Sequence, residues 1–303
     1  MDFRHLDLLR ELAERGSVTA VAQATHRTPS AVSQQLKAAQ REFGMSLVEP
    51  AGRGLMLTEA GRLLAEGGLA VATAIETVRA RWDAFRGEPT GTVRIAALPS
   101  AATFLLPPLL RRLADTSISV RCHDYHLAEA QFAGLAADND IVIAHSLTGV
   151  RPDGAAQLAV VPLAREPLDV AMAAEHELAR YPRLRPAQLA DRDWIGVPAG
   201  YPFDTVLAAI GQVTGTPPNV RQRLRDNRLI EALVAAGDEL AILPRFTTPA
   251  GAGLALRELT GVPCTRHVSA LMRADRAERL SVRRVVAALA EVGRQTELRF
   301  RRL

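Results

Sequence analysis

Between Thr58 and Arg86 the chain contains no proline and repeats its apolar side chains every seven positions. Leu64, Val71, Val78 and Phe85 form one series, and Gly68, Ile75 and Trp82 form a second offset by three. On a helix, two interleaved seven-residue series make a single stripe, the pattern of a coiled-coil seam. Thr58 predicts the N-cap, and Glu88-Pro89-Thr90-Gly91 predicts a break that serves as a hinge. Such a helix spans roughly 42 Å. Left alone it would expose a row of apolar side chains, so the seam predicts pairing with a second copy of the chain. The expected dimerisation residues are Leu64, Val71, Ile75, Val78, Trp82 and Phe85. The helix also divides the 303 residues into a short N-terminal unit and a longer C-terminal one.

In the short unit, apolar residues at 3, 6, 9, 12 and 13 follow helical spacing up to Gly16-Ser17, and a second short helix is predicted over 18–24. Thr28-Pro29 pairs an N-cap residue with the imino acid favoured at the first helical position, so a third helix runs over 29–43 and stops at Gly44. Two short apolar clusters around Ala51-Gly52-Arg53-Gly54 predict a small hairpin, the wing. Two helices, a tight turn and a third helix form a helix-turn-helix. In that arrangement the last helix enters the major groove of double-stranded DNA with its N-terminal residues toward the base edges.

The candidate contacts are Thr28, Pro29, Ser30, Ser33, Gln34 and Lys37, with Arg53 at the wing tip. Hydroxyls suit phosphates or bases, Gln pairs with adenine, and Lys suits guanine or phosphate. The first 60 residues balance seven basic against seven acidic groups, but 16–41 holds three basic residues and no acid. The alternative is a small bundle packed for its own sake.

Beyond the hinge, short apolar runs alternate with amphipathic helices, which predicts an α/β domain with a largely parallel sheet. Strands are expected over 93–98, 118–124, 141–144, 160–163, 168–173, 194–197, 240–243 and 267–272. Helices are expected over 101–114, 127–137, 204–214, 229–236 and 281–297. The 48% of apolar and 23% of charged residues exclude long disorder. No apolar run approaches 18 residues, and the start Met-Asp-Phe-Arg-His-Leu-Asp is unlike a signal peptide. A cytoplasmic protein without membrane contact is expected.

Two cysteines, Cys122 and Cys264, make no disulfide framework. Cys122, His123, Asp124 and His126 are metal-ligand types, but they fall on one predicted strand, where Cys122, Asp124 and His126 share a face and His123 takes the other. A flat strand does not close a tetrahedral site, so no metal and no cofactor are expected. Neither a Gly-x-Ser-x-Gly turn, a phosphate loop, a zinc-protease helix nor a dinucleotide fingerprint is present, which argues against an enzyme.

Three blocks resemble the N-terminal domain of LysR-type transcriptional regulators in order and spacing. They are Gly16-Ser17-Val18-Thr19-Ala20-Val21-Ala22, then Thr28-Pro29-Ser30-Ala31-Val32-Ser33-Gln34-Gln35-Leu36-Lys37, then Leu57-Thr58-Glu59-Ala60-Gly61. Gly91-Thr92-Val93-Arg94-Ile95, Leu106-Pro107, Leu233-Val234-Ala235-Ala236-Gly237 and Leu243-Pro244 match the effector domain of that family more weakly. Thr25, Arg27, Ala39-Gln40, Val48 and Pro50 depart from the pattern, and Arg53 stands in for a phosphate contact expected near Pro50.

The resemblance implies a homo-oligomer, a dimer or a dimer of dimers, and three parts: a winged helix-turn-helix over 1–58, a linker helix over 59–87, and an effector-binding domain over 92–303. The last would resemble a periplasmic binding protein, with lobe I over 92–162 plus 267–303 and lobe II over 163–266. In open α/β sheets ligands sit at the carboxyl ends of strands, where helix N-termini favour an anion. That placement nominates Ser100, Ala101, Thr103, His145, Ser146, Gly200, Tyr201, Phe203 and Asn227 as contacts for a small, anionic effector. The function implied is a promoter-binding regulator tuned by that effector. The alternative is an enzyme or solute-binding protein whose N-terminal unit only oligomerises.

Overall fold

The computed structural model describes residues 1–52, 54–87, 89–249, 251 and 253–301. The N-terminal unit opens with α1 (Phe3–Arg15), α2 (Val18–Ala24) and α3 (Pro29–Phe43). Asp2, Ser17 and Thr28 each cap their helix with a side-chain oxygen, and Gly16 and Gly44, both at φ +69°, end α1 and α3 in the left-handed conformation. Leu9, Val21, Val32, Ala39 and Leu47 are fully buried between the three helices and the wing. The wing is the antiparallel pair β1 (Val48–Ala51) and β2 (Gly54–Leu57), so Arg53 at its tip lies outside the described residues.

Next comes α4 (Glu59–Arg86), capped by Thr58, whose hydroxyl accepts the Gly61 amide at 3.1 Å and donates to the Ser46 carbonyl at 3.0 Å. One face of α4, with Gly61, Ala65, Gly68, Ala72, Glu76 and Ala80, is buried. A Cβ on Gly68 would stand 2.6 Å from the Leu6 carbonyl oxygen, so α1 and α4 touch backbone to backbone. This corrects the seam. Gly68 belongs to the intrachain face, and half-buried Leu64 packs on the N-terminal core. Val71, Ile75, Val78, Trp82 and Phe85 remain exposed on the other face, with the Trp82 and Phe85 rings stacked at 5.8 Å.

The C-terminal part continues as β3 (Gly91–Ala97), α5 (Pro99–Leu113), β4 (Ile118–Asp124), β5 (Ile141–Ser146), β6 (Ala159–Ala173), β7 (Arg183–Leu184) and β8 (Asp193–Gly196). It then runs through α6 (Pro202–Thr214), β9 (Asn219–Arg223), α7 (Asn227–Ala236), β10 (Ala241–Pro244), β11 (Leu254–Leu259), β12 (Thr265–Met272), α8 (Ala274–Ala277) and α9 (Leu280–Arg301). The main sheet has the order β4-β3-β5-β12-β6-β11-β7 with β10 also on β6, while β8 and β9 form a separate pair. It is mixed rather than largely parallel. β3 pairs in parallel with β4 and β5, whereas β6 and β12 pair antiparallel with each other, because they carry the chain outward and back between two cores.

The first core gathers β3, β5, α5, α9 and the end of β12, and the second gathers β8, β10, α6 and α7. Along β6 the first core ends at Ala164 and the second begins at Leu168. Pro162 and Pro167 do not split β6 into two strands as expected. The register slips between Val268 and Ser269, leaving Leu163 as an extra residue that absorbs the irregularity.

Residues 127–137 fold as two 3-10 turns, Glu129–Gln131 and Ala133–Ala137, rather than one α-helix, because buried Phe132 and Ala136 tie a Gly134-weakened segment to the first core. Among the described residues no helix is long and apolar enough to cross a membrane.

Candidate functional site

Two surfaces stand out. On α3, Val32, Leu36 and Ala39 turn inward, which leaves Ser30, Gln34 and Lys37 exposed on the opposite side, with Ser33 half-buried beside them. Pro29 and Thr28 are exposed at its start, but the Thr28 hydroxyl already accepts the Ala31 amide at 3.2 Å. Gln34, Lys37, Gln40 and Arg41 line an open groove that runs to Ser46 at the wing. The neighbouring acids point elsewhere. Glu42 turns back to the Asp2 amide and to His5, and Asp2 is bound to Arg4. Arg27 bonds the Gln35 side chain, which in turn donates to the Arg4 carbonyl at 2.6 Å, so its departure from the apolar pattern is absorbed by a local bridge.

The second surface is a cavity of about 230 Å³ between the two cores. The starts of three helices meet there: Pro99, Ser100 and Thr103 from α5, Tyr201 and Phe203 from α6, and Asp226, Asn227 and Arg228 from α7. No side chain caps α5 or α6, so free amides at both helix starts face the cavity beside Arg225, while Asp204 stands in the first turn of α6 and Arg228 is paired with Glu231 at 2.6 Å. Tyr201 closes one side by donating its phenol to the His126 carbonyl at 2.7 Å.

Behind the lining residues Ser100, His145 and Phe203 lies a wholly buried ion pair. Arg266 donates two hydrogen bonds to Glu166 Oε2, at 2.8 and 2.5 Å, and a third to Ser100 Oγ at 2.9 Å, and its guanidinium lies 5.5 Å from the Phe203 ring. The Phe246 amide donates to the other oxygen of Glu166 at 2.7 Å. Burial raises the Glu166 carboxyl above its ordinary range, with Arg266 opposing. Burial, aided by Arg266, holds His145 well below the usual imidazole range. His145 is therefore neutral and turns Nδ1 as an acceptor toward Arg266 at 3.3 Å, leaving its proton on Nε2.

The structure thus brings Ser100, Thr103, His145, Tyr201, Phe203 and Asn227 around one cavity. It sets three expected residues apart. Ala101 faces the first core and is fully buried, Ser146 is buried against the Thr148 hydroxyl at 2.9 Å, and Gly200, at φ +81°, stands outside the lining. Glu166, Arg266, Arg225 and Arg228 escaped the reading of the sequence. Asp226, which caps α7 through the Leu229 amide at 2.8 Å, was accessible from its N-cap spacing. Cys122 is exposed on the edge strand β4, while Asp124 and His126 line the cavity. Among the described residues no group of three or more His, Cys, Asp or Glu is placed to hold a metal ion.

A winged helix-turn-helix, a long helix with an exposed apolar face and a two-core domain enclosing a cavity define a ligand-responsive DNA-binding protein. Residues 3–62 match the bacterial regulatory helix-turn-helix proteins of the lysR family, and residues 86–294 match the LysR substrate binding domain. The hydrogen peroxide-inducible genes activator of Pectobacterium carotovorum is 25% identical over 251 residues, 82% of each chain. The fold is similar to that of a full-length OxyR variant from Pseudomonas aeruginosa, with a TM-score of 0.66, 18% identity, and 97% of this chain and 95% of that one covered. It is also similar to full-length CbnR in complex with its target DNA, with a TM-score of 0.55, 21% identity, and 97% and 100% covered. The chain belongs to the LysR family of DNA-binding transcription regulators, whose substrate-binding domain receives an effector.

Proposed function

We propose that this protein is a cytoplasmic, non-enzymatic regulator that grips promoter DNA as a homo-oligomer and responds to a small anionic effector. Residues 1–58 read the DNA, 59–87 pair with a second copy, and 92–303 hold the effector. The observation that carries the reading is that one chain joins an acid-free α3 face to a cavity at three helix N-termini. CbnR, solved with its target DNA, is a fold relative. Ser30, Ser33, Gln34 and Lys37 serve as base and phosphate contacts, Pro29 and Thr28 fix the start of the helix, and Arg53 at the wing tip adds a phosphate contact.

Footprinting of the DNA that flanks this gene tests the reading. A Ser33→Ala, Gln34→Ala, Lys37→Ala triple variant is expected to lose at least about 30-fold in affinity, since one good base contact alone is worth about 1–3 kcal/mol. Lys37→Ala alone is expected to flatten the salt dependence by about one ion. Wild-type affinity and selectivity in the triple variant would remove α3 from the groove.

The exposed row on α4 supports pairing, since Val78, Trp82 and Phe85 present a contiguous apolar stripe to solvent. Two such stripes joined in a two-fold dimer predict a partly palindromic operator with half-sites spaced by helical turns. Val78→Glu with Trp82→Glu is expected to convert the protein to monomers in analytical ultracentrifugation and to abolish cooperative footprints. Sedimentation unchanged by these charges would place the interface elsewhere.

The effector is read from the cavity rather than from thiol chemistry, although one relative is named for peroxide. Burial, with Asp124 nearby, raises the Cys122 thiol, and burial with Asp169 and Glu258 pushes Cys264 up to about 11, so neither is a ready thiolate. Small carboxylates or phosphates that occupy the cavity will raise the melting temperature as binding favours the folded state. The alternative, an enzyme with an accessory N-terminal unit, predicts turnover of a small molecule undiminished by deleting residues 1–58.

A further inference from the structure

The junction between the N-terminal unit and the first core is built from charges that the proposed contacts do not use. Arg273, 4% exposed, follows directly on β12 and donates to Glu14 Oε2 at 2.8 Å, to Glu11 Oε1 at 3.4 Å and to both oxygens of Asp275 at 3.0 Å. Arg10 reaches Asp275 at 3.1 Å. Arg15 bonds the Ala137 carbonyl at 3.3 Å and the Asp138 carboxylate at 2.9 Å. Glu11 and Glu14 belong to α1, so α1 is clasped onto the C-terminal domain of its own chain.

Both anchor points of this clasp lead to the cavity. β12 carries Arg266 at its cavity end and delivers Arg273 at the other, seven residues or about 23 Å away. The 3-10 turn Ala133–Ala137 follows Phe132, whose ring meets that of His145 at 5.8 Å in the cavity wall, and ends on the carbonyl that Arg15 holds. Beside the turn lies a second cavity of about 350 Å³, walled by Ala133, Ala137, Glu14 and Arg273, which leaves the turn room to shift against α1.

We infer that Arg273 and Arg15 are positioning residues through which the state of the cavity between the two cores sets the attitude of α1, and with it α3, relative to the C-terminal domain. The inference rests on the proposed function for its consequence at DNA, but its physical content is a coupling inside one chain. An effector that displaces Phe132 or Arg266 moves the turn or the strand end, and the clasp passes the displacement to α1. Packed interfaces shift between discrete arrangements rather than deforming continuously, and the neighbouring cavity gives this one space to shift into.

Hydrogen exchange on the full-length protein tests this without a known effector. Phe132→Leu alters the cavity wall. In the otherwise wild-type chain it is expected to speed exchange at least threefold in the last turn of α1. In an Arg15→Gln, Arg273→Gln background it is expected to leave that turn unchanged, because the link is already cut. Arg273→Lys, which keeps the charge but not the forked donors, is expected to give an intermediate response and supplies a milder background should the double variant melt early. Unaltered α1 exchange on Phe132→Leu in the wild-type chain overturns the inference, and so does an equal rise in both backgrounds. Footprinting reports separately: a protein that shows the exchange coupling but protects no DNA refutes the proposed function and leaves the coupling standing.

Discussion

Replacing Arg266 by methionine is expected to cost about 3–5 kcal/mol, because it strands the Glu166 carboxylate without its partner in a site from which water is excluded. Urea unfolding followed by the fluorescence of Trp194, itself fully buried in the second core, measures the loss. The sign with pH follows from the folded-state carboxyl. Burial already raises Glu166 above its unfolded value with Arg266 present, and removing Arg266 takes away the attraction that opposes that rise. Protonation then favours the folded form. The deficit against wild type is therefore smallest below the ordinary carboxylate range and grows as pH rises through and beyond it. A double Arg266→Met, Glu166→Met variant is expected to regain most of the stability, since removing both charges leaves none unpaired. It would still bind no effector, because Ser100 and His145 lose the donor that orders them. A deficit below about 1 kcal/mol in the single variant, or one independent of pH, would show that Arg266 and the Glu166 carboxylate are not coupled as described.

Gly293→Ala is the second large effect. α9 lies on β6 so closely that a Cβ at Gly293 would stand 1.9 Å from the Leu163 carbonyl oxygen and 2.8 Å from its carbon. Neither atom belongs to a flexible side chain. The helix must lift from the strand at the one place where β6 carries its extra residue, and overpacking of this kind costs at least about 1–3 kcal/mol. Gly67→Ala gives the contrast, because a Cβ there meets nothing within 4 Å and relieves the helix of a glycine. A gain of about 0.5–1 kcal/mol is expected at that position. Thermal unfolding of the two variants should therefore move in opposite directions, and equal shifts would mean that α9 does not sit on Leu163 as described. The lift should also disturb the cavity. α9 holds the region where β6 changes from one core to the other, through Glu297 on the Arg165 amide at 2.7 Å and the Phe300 ring on Phe246 at 4.9 Å. The Phe246 amide in turn holds Glu166.

Local sequence signals suffice where the chain settles its structure locally. Thr28-Pro29 starts α3, Gly44 ends it, and Thr58 starts α4, because caps and glycine turns act over three or four residues. Failures appeared where distant packing overrules local preference. Residues 127–137 read as a helix by composition and fold as 3-10 turns because Phe132 and Ala136 are drawn into the first core. Arg223 and its neighbours in β9 are mostly exposed and polar, so no apolar period marks that strand, and it forms by pairing with β8. On α4 the seven-residue repeat identified the exposed row from Val71 to Phe85 but absorbed Gly68. Periodicity locates an apolar or small-residue stripe, and only the packing of α1 tells which stripe stays within the chain.

The same division holds at the cavity. Ser100, Tyr201, Phe203 and Asn227 follow strand ends or open helices, so counting along the chain reaches them. Arg266 and Glu166 lie 100 residues apart on two antiparallel strands, and one buried arginine cannot be told from many exposed ones by its letter. By itself, then, the order of residues determined the three N-terminal helices, the start of the long α4, the wing and the family of the chain, because those depend on neighbours three to seven positions away. Tertiary structure alone decided which charges are buried and whom they face, because the free energy of a buried charge depends on every group that closes around it.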